Sequence, residues 1–166
     1  ITVSNAGEYS TMEVAQHVFA FILQFASKIS VFNDSVKNGD WINSNTFSYF
    51  RYPTFQLSGL TIGIIGFGSI GKAVAKIADA FGMNVIISTR TLPRETLYPY
   101  EFVSQDELFS RSDFVTLHCP LTPDTQGLIC RNNLNKMKKT AILINTSRGG
   151  VVVEQDLADA LNNDII

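Results

Sequence analysis

Leu60-Thr61-Ile62-Gly63-Ile64-Ile65-Gly66-Phe67-Gly68-Ser69-Ile70-Gly71 is the stretch on which the reading of this chain turns. Its first half is a short continuous apolar run, the pattern of a strand buried on both faces. Its second half is G-x-G-x-x-G. That motif is weak alone and specific when it directly follows a buried strand and opens a helix, as here. Gly66 permits the tight turn, Gly68 lets a pyrophosphate approach the backbone, and Gly71 lets helix and strand pack closely. The helix start, Ser69-Ile70, offers free N–H groups and a partial positive charge to phosphate.

The pattern repeats outward from this motif. Ile70, Ala73, Val74, Ile77, Ala78 and Phe81 have helical spacing, and Gly82 follows as a stop. Strands are expected over Asn84–Ser88, Asp113–His118 and Ala141–Asn145, and helices over Gln105–Ser110, Asn132–Lys138 and Glu154–Asn162. Strands alternating with short helices predict an α/β fold, a Rossmann-type doubly wound parallel sheet. Upstream, residues 14–26 are apolar almost all round, the mark of a buried or interface helix, and Ser10 and Glu13 have capping-box spacing before it. His17 within it reads as a packing histidine. The polar and aromatic stretch that follows reads as a loop. The chain thus divides into an interdomain or dimer helix region (1–32), a loop excursion (33–59) and a dinucleotide-binding core (60–166) that is incomplete at its C-terminal end. The start at Ile1 and the close on Asp164-Ile165-Ile166 suggest a piece of a longer protein.

Composition narrows the function classes. Hydrophobic residues are 45% and charged residues 17% of 166, so the chain can bury a core. A net charge of −2 lacks the basic footprint of a nucleic-acid binder. The longest apolar run, Val18 to Leu23, falls far short of the roughly 20 residues of a membrane span. No nucleic-acid or membrane partner is expected. Cys119 and Cys130 read as free thiols in a reducing, cytoplasmic setting, and Cys130 as an inert buried one. Histidine and cysteine are too few and badly spaced for a metal site. Lys136, Lys138 and Lys139 read as a solvated helix end.

Dinucleotide folds that use NAD place an acid at the end of the second strand, on the ribose hydroxyls. Here that strand ends Ile87-Ser88-Thr89-Arg90-Thr91, with Arg94 close behind. Hydroxyls beside a guanidinium suit a 2′-phosphate, so NADP is favoured over NAD.

Four ordered blocks carry a family likeness. Asn5-Ala6-Gly7-Glu8-Tyr9-Ser10 runs into Val14-Ala15-Gln16-His17. Gly63 to Gly71 is the phosphate loop. Leu117-His118-Cys119-Pro120-Leu121-Thr122 precedes Thr125-Gln126-Gly127-Leu128-Ile129. Ile144-Asn145-Thr146-Ser147-Arg148-Gly149-Gly150 comes last. Together they resemble the nucleotide-binding domain of the D-isomer-specific 2-hydroxyacid dehydrogenases. The stretch Phe47 to Gly63 looks most like the glycerate dehydrogenases, or hydroxypyruvate reductases. The chain departs from the family at Thr89, where Asp is usual, and at Leu60 and Val153.

The resemblance implies an enzyme passing hydride between a nicotinamide and a small 2-keto or D-2-hydroxy acid, in a homodimer. Arg148 matches the arginine that binds the substrate carboxylate and polarises the keto oxygen. The family's acid, a histidine oriented by a glutamate, lies beyond residue 166. His118 has two readings, a contact to cofactor or substrate and a structural role. By position, Ser69 and Ile70 lie over the pyrophosphate, Cys119 and Pro120 beside the adenosine, Thr125 near a phosphate, and Thr146, Ser147 and Arg148 on the nicotinamide side. The competing reading is a module that senses dinucleotide without turnover; the carboxylate clamp at Arg148 argues for the enzyme.

Overall fold

The computed structural model describes residues 1–4, 7–92 and 98–166, so Asn5, Ala6 and the expected phosphate cation Arg94 lie outside the described residues. Among the described residues five strands form one sheet in the order β3-β2-β1-β4-β5, with every pairing parallel. They are β1 (Thr61–Ile65), β2 (Asn84–Ser88), β3 (Glu101–Phe102), β4 (Phe114–Leu117) and β5 (Ile142–Asn145). The helices are α1 (Thr11–Ser27), α2 (Ile29–Lys37), α3 (Ser69–Ala80), α4 (Gln105–Arg111), α5 (Arg131–Leu134) and α6 (Glu154–Asn162).

The sheet is buried on both faces, and the side-chain period of two sorts its residues. Ile62, Ile64, Val85, Ile87, Phe114 and Ile144 face one cluster with Val74, Ala75 and Ala78 of α3. Ile65, Ile86, Val115 and Leu117 face the other with Leu108, Phe109, Leu134 and Ala160. Each fully buried Ile or Leu here contributes about 1.5–3 kcal/mol of transfer free energy. Gly63 lets α4 approach: a Cβ there would come within 2.2 Å of the Ser112 hydroxyl and 2.7 Å of Leu108. Outside α3 lies α1, with Ala15, Val18, Phe19, Ile22 and Ala26 buried and Phe19 stacked on Phe81 at 5.5 Å.

Several sequence expectations need correction. Ser10 gives no side-chain cap to α1, because its backbone (φ −109°, ψ 8°) is not the extended conformation that aims an N-cap hydroxyl into the first turn. The capping box forms instead at α4, where extended Ser104 accepts from the Glu107 N–H at 3.3 Å and its own N–H reaches the Glu107 carboxylate at 3.0 Å. His17 is exposed rather than packed, lying edge-on to Phe21 at 4.5 Å. Helix α2 carries order across the expected loop boundary as far as Lys37, because left-handed Lys28 (φ 51°) ends α1 and starts a new helix at once. The residues after it are held by Tyr49, whose hydroxyl lies 2.9 Å from buried Ser35 and whose ring meets Phe32 and Trp41.

Helix α5 stops at Leu134 rather than Lys138, with three-residue turn bonds taking over. Its lysines are not free: Lys136 pairs with Asp106 at 2.7 Å and Lys138 with Asp113 at 2.8 Å. Asp113 also accepts the Thr61 N–H at 2.8 Å and so ties the starts of β1 and β4. Cys130 is half-buried at the start of α5, and the buried thiol is Cys119.

Candidate dinucleotide cleft

The strand order places the site. From β1 the chain builds outward through β2 and β3, then returns to lay β4 on the other side of β1. The carboxyl ends of β1 and β4 therefore carry loops that diverge, and a crevice opens between them. Ile65 and Leu117 are register partners at that point. A cleft of about 650 Å³ lies there, lined by Ile65 to Gly68, Ser88 to Thr91, His118 to Pro120, Thr122, Asp124 and Thr125, with Gln105 and Leu128.

Each glycine of the loop has its own necessity. Gly66 has φ +96°, and a Cβ on it would sit 2.8 Å from the Cys119 nitrogen and the His118 carbonyl. A Cβ on Gly71 would meet the Gly66 oxygen at 2.2 Å, so the third glycine sets how closely helix and strand pack. Around Gly68 a Cβ would touch nothing within 4 Å. That open space beside the start of α3 is where an anion can reach the backbone. Among the described residues no side chain caps the backbone at the start of α3, which leaves its first N–H groups open to an acceptor. The Ser69 hydroxyl donates to the carboxylate of Glu8, from the segment before α1, which sets an acid against the positive end of the helix.

At the end of β2, Thr89 is half-buried and its hydroxyl makes a long bond to the Thr91 carbonyl at 3.4 Å. Arg90 is exposed and makes no ion pair among the described residues. After β4, the Thr125 hydroxyl donates to the Pro120 carbonyl at 2.5 Å and accepts the Thr122 N–H at 2.8 Å. It thereby shapes the turn that walls the cleft. Burial pushes the Cys119 thiol up and the His118 imidazole down to about 4, so His118 is neutral near pH 7. Its Nε2 lies 3.0 Å from the Thr116 hydroxyl.

Thr146, Ser147 and Arg148 follow β5 and do not line the cleft; Ser69, Ile70 and Gly71 form the start of α3 just behind its rim. The two loops nevertheless touch, since a Cβ on Gly150 would meet Leu121 at 3.1 Å. Asn145 organises the β5 loop. Its Oδ1 accepts from the Ser147 N–H at 3.0 Å and hydroxyl at 2.9 Å, and its Nδ2 donates to the Arg148 carbonyl at 2.9 Å. The Arg148 guanidinium is exposed, donates to the Ser147 carbonyl at 2.9 Å, and has no carboxylate partner among the described residues. The Thr146 hydroxyl is buried and has no hydrogen-bond partner among the described residues. Close packing at Gly66 and Gly71, open space beside Gly68 and a start of α3 without a side-chain cap together fit a dinucleotide laid across the strand ends. Among the described residues no three acid, histidine or cysteine side chains gather as a metal site.

Sequence reading missed Phe67, Gln105 and Asp124 as lining, and Glu8 as a neighbour of Ser69. The variable positions inside a motif carry no signal in one sequence, and Glu8 arrives from 61 residues away.

The family model described as "D-isomer specific 2-hydroxyacid dehydrogenase, NAD binding domain" matches residues 19–166. The chain is 42% identical over its whole length to a glycerate dehydrogenase of Methylorubrum extorquens, covering 51% of that protein. It is 40% identical over 98% of its length to a hydroxypyruvate reductase of Blautia hydrogenotrophica, again covering 51%. Among solved structures it matches the acyclic imino acid reductase Bsp5 in complex with NADPH and D-Arg. That match has a TM-score of 0.84 and 35% identity, over all of this chain and 52% of that one. The chain spans about half the length of the curated relatives it matches.

Proposed function

The chain belongs to the D-isomer-specific 2-hydroxyacid dehydrogenases as their NAD-binding domain, and from that premise we propose that it serves an NADP-preferring reductase of small 2-keto acids. Hydroxypyruvate, glyoxylate and D-glycerate form the substrate class, as the names of its relatives suggest. The observation that carries the cofactor preference is the β2 end: Thr89 and Arg90, which makes no ion pair among the described residues, face the cleft where an acid would repel a 2′-phosphate. The bound nicotinamide would supply the hydride. Gly66, Gly68, Ser69, Ile70 and Gly71 would hold the pyrophosphate on backbone N–H groups. Cys119 and Pro120 would wall the adenosine, Thr125 would fix the turn near a phosphate, and Thr146 and Ser147 would border the nicotinamide.

Arg148 would bind the substrate carboxylate through its planar fork and polarise the keto oxygen. With no carboxylate partner among the described residues it is open to that task, and Asn145 pins the loop beneath it. Neutral His118 would not deliver the proton, which we assign to a histidine and orienting glutamate outside these residues. A reducing, cytoplasmic setting fits the two free thiols. A homodimer would bury the apolar side of α1 and α2 and of the turn that follows them, where Phe21, Phe25, Ile29, Val36, Trp41 and Ile42 are exposed.

The test is turnover by the complete protein that carries this chain, with hydroxypyruvate or glyoxylate and each cofactor. NADPH should outperform NADH, and Thr89→Asp should reverse that order. Arg148→Ala should lose roughly 2–5 kcal/mol of transition-state stabilisation while cofactor affinity holds. Arg148→Lys should stay impaired, since charge without the fork is not enough. Binding of either cofactor without any turnover would favour the sensing module instead.

A further inference from the structure

We propose that Lys72 is a second cation of the ribose-phosphate subsite, held toward it by the rings of Phe67 and Tyr98, and that it selects dinucleotides bearing a 2′-phosphate. The proposal rests on the NADP reading above and adds a residue that the motif does not specify.

Lys72 follows the last glycine of the loop, in the first turns of α3. Helix side chains lean toward the N-terminus, so this one reaches back over the glycine turn. Its Nζ lies 5.8 Å from the Phe67 ring centre and 5.4 Å from that of Tyr98. Phe67 lines the same cleft as Thr89, Arg90 and Thr91. Neither Lys72 nor Tyr98 lines the cleft itself; the ammonium is joined to it through the Phe67 ring, which Tyr98 and Phe102 grip, and Phe102 is the register partner of Ile87 near the end of β2. It is exposed and makes no ion pair among the described residues.

The position is also prepared. Phe67 is gripped edge-on by Tyr98 at 5.0 Å and Phe102 at 5.5 Å, with Tyr100 at 6.2 Å. Nothing in pyrophosphate binding asks for an aromatic between Gly66 and Gly68; fixed rings there form a shelf for a cation. A lysine on an open helix face samples many rotamers, whereas one resting on two rings has already lost much of that freedom before a ligand arrives. Arg90 would supply a planar fork and Lys72 a point charge, and a phosphate dianion takes both. A ribose without the phosphate gives Lys72 no partner.

The test isolates the subsite by titrating adenosine 2′,5′-bisphosphate and adenosine 5′-monophosphate into the protein calorimetrically. Lys72→Met should weaken the bisphosphate by about fivefold or more, as for a charge-assisted hydrogen bond lost. The monophosphate should change by less than about twofold, the residue of screened long-range attraction. Lys72→Arg should retain the discrimination. Tyr98→Leu, which keeps the charge and removes half the shelf, should give a smaller loss confined to the bisphosphate. Equal weakening of both ligands in Lys72→Met, or of neither, overturns the proposal while leaving the role of Arg90 intact. Equal affinity of the unaltered protein for the two ligands removes the 2′-phosphate subsite altogether, and the NADP reading with it.

Discussion

In the proposed reaction His118 shapes the site without delivering the proton. It ends β4 at the switch point, its carbonyl packs against Gly66, and burial holds its pKa at about 4. Between pH 6.5 and 4 the unfolded chain takes up a proton that the folded chain refuses. Stability thus falls as pH drops through that window, by about 2 kcal/mol after allowance for partial exposure of the ring. Denaturant unfolding across pH 4–7 checks this. His118→Gln keeps a polar group near Thr116 and removes the titration, so its stability should fall less steeply than that of the parent. Parallel slopes would mean that the ring is solvated and free to carry a proton. At this scale the sequence was legible where backbone geometry dictates the residue: Gly66 and Gly71 could be assigned their roles from spacing alone. It was illegible where a side chain finds its partner through the fold, as Lys136 does in Asp106 and Ser69 in Glu8.

Elements were readable in proportion to their burial. β1, β2 and β4, each packed on both faces, announce themselves as apolar runs, and α3 and α6 by helical spacing between clear stops. β3 is two residues on the sheet edge and gives no periodic signal. α5 and α2 were misjudged because a tightened turn and a left-handed lysine, not composition, set their ends. α1 was legible as a helix with more apolar surface than a lone domain buries. One face sits on α3, while Met12, Phe21 and Phe25 remain 61%, 42% and 50% exposed. If that face pairs with a second copy, the complete protein should sediment as a dimer at micromolar concentration. Phe21→Lys, at an exposed position that leaves the α3 contact alone, should release folded monomers. A monomeric parent, or a Phe21→Lys dimer of unchanged strength, would contradict the assembly.

The whole molecule is a parallel sheet whose strand order opens a crevice, with backbone donors of the glycine loop on one side and Arg90 on the other. The central claim is that a dinucleotide lies there with its pyrophosphate against Gly68. Gly68 has unstrained backbone (φ −79°), and a Cβ on it would meet no protein atom within 4 Å. Gly68→Val should therefore leave the fold alone and fill only the space that the ligand needs. The direct measurement is NADPH titration into the parent and Gly68→Val chains, followed by nicotinamide fluorescence, with thermal unfolding of each alongside. The account predicts saturable binding by the parent, unfolding temperatures within a degree or two of each other, and affinity lowered by about tenfold or more in the variant, the loss expected when charge-assisted backbone contacts to phosphate are blocked. Equal affinity in the two chains would contradict it, because the pyrophosphate would then lie somewhere other than on this loop.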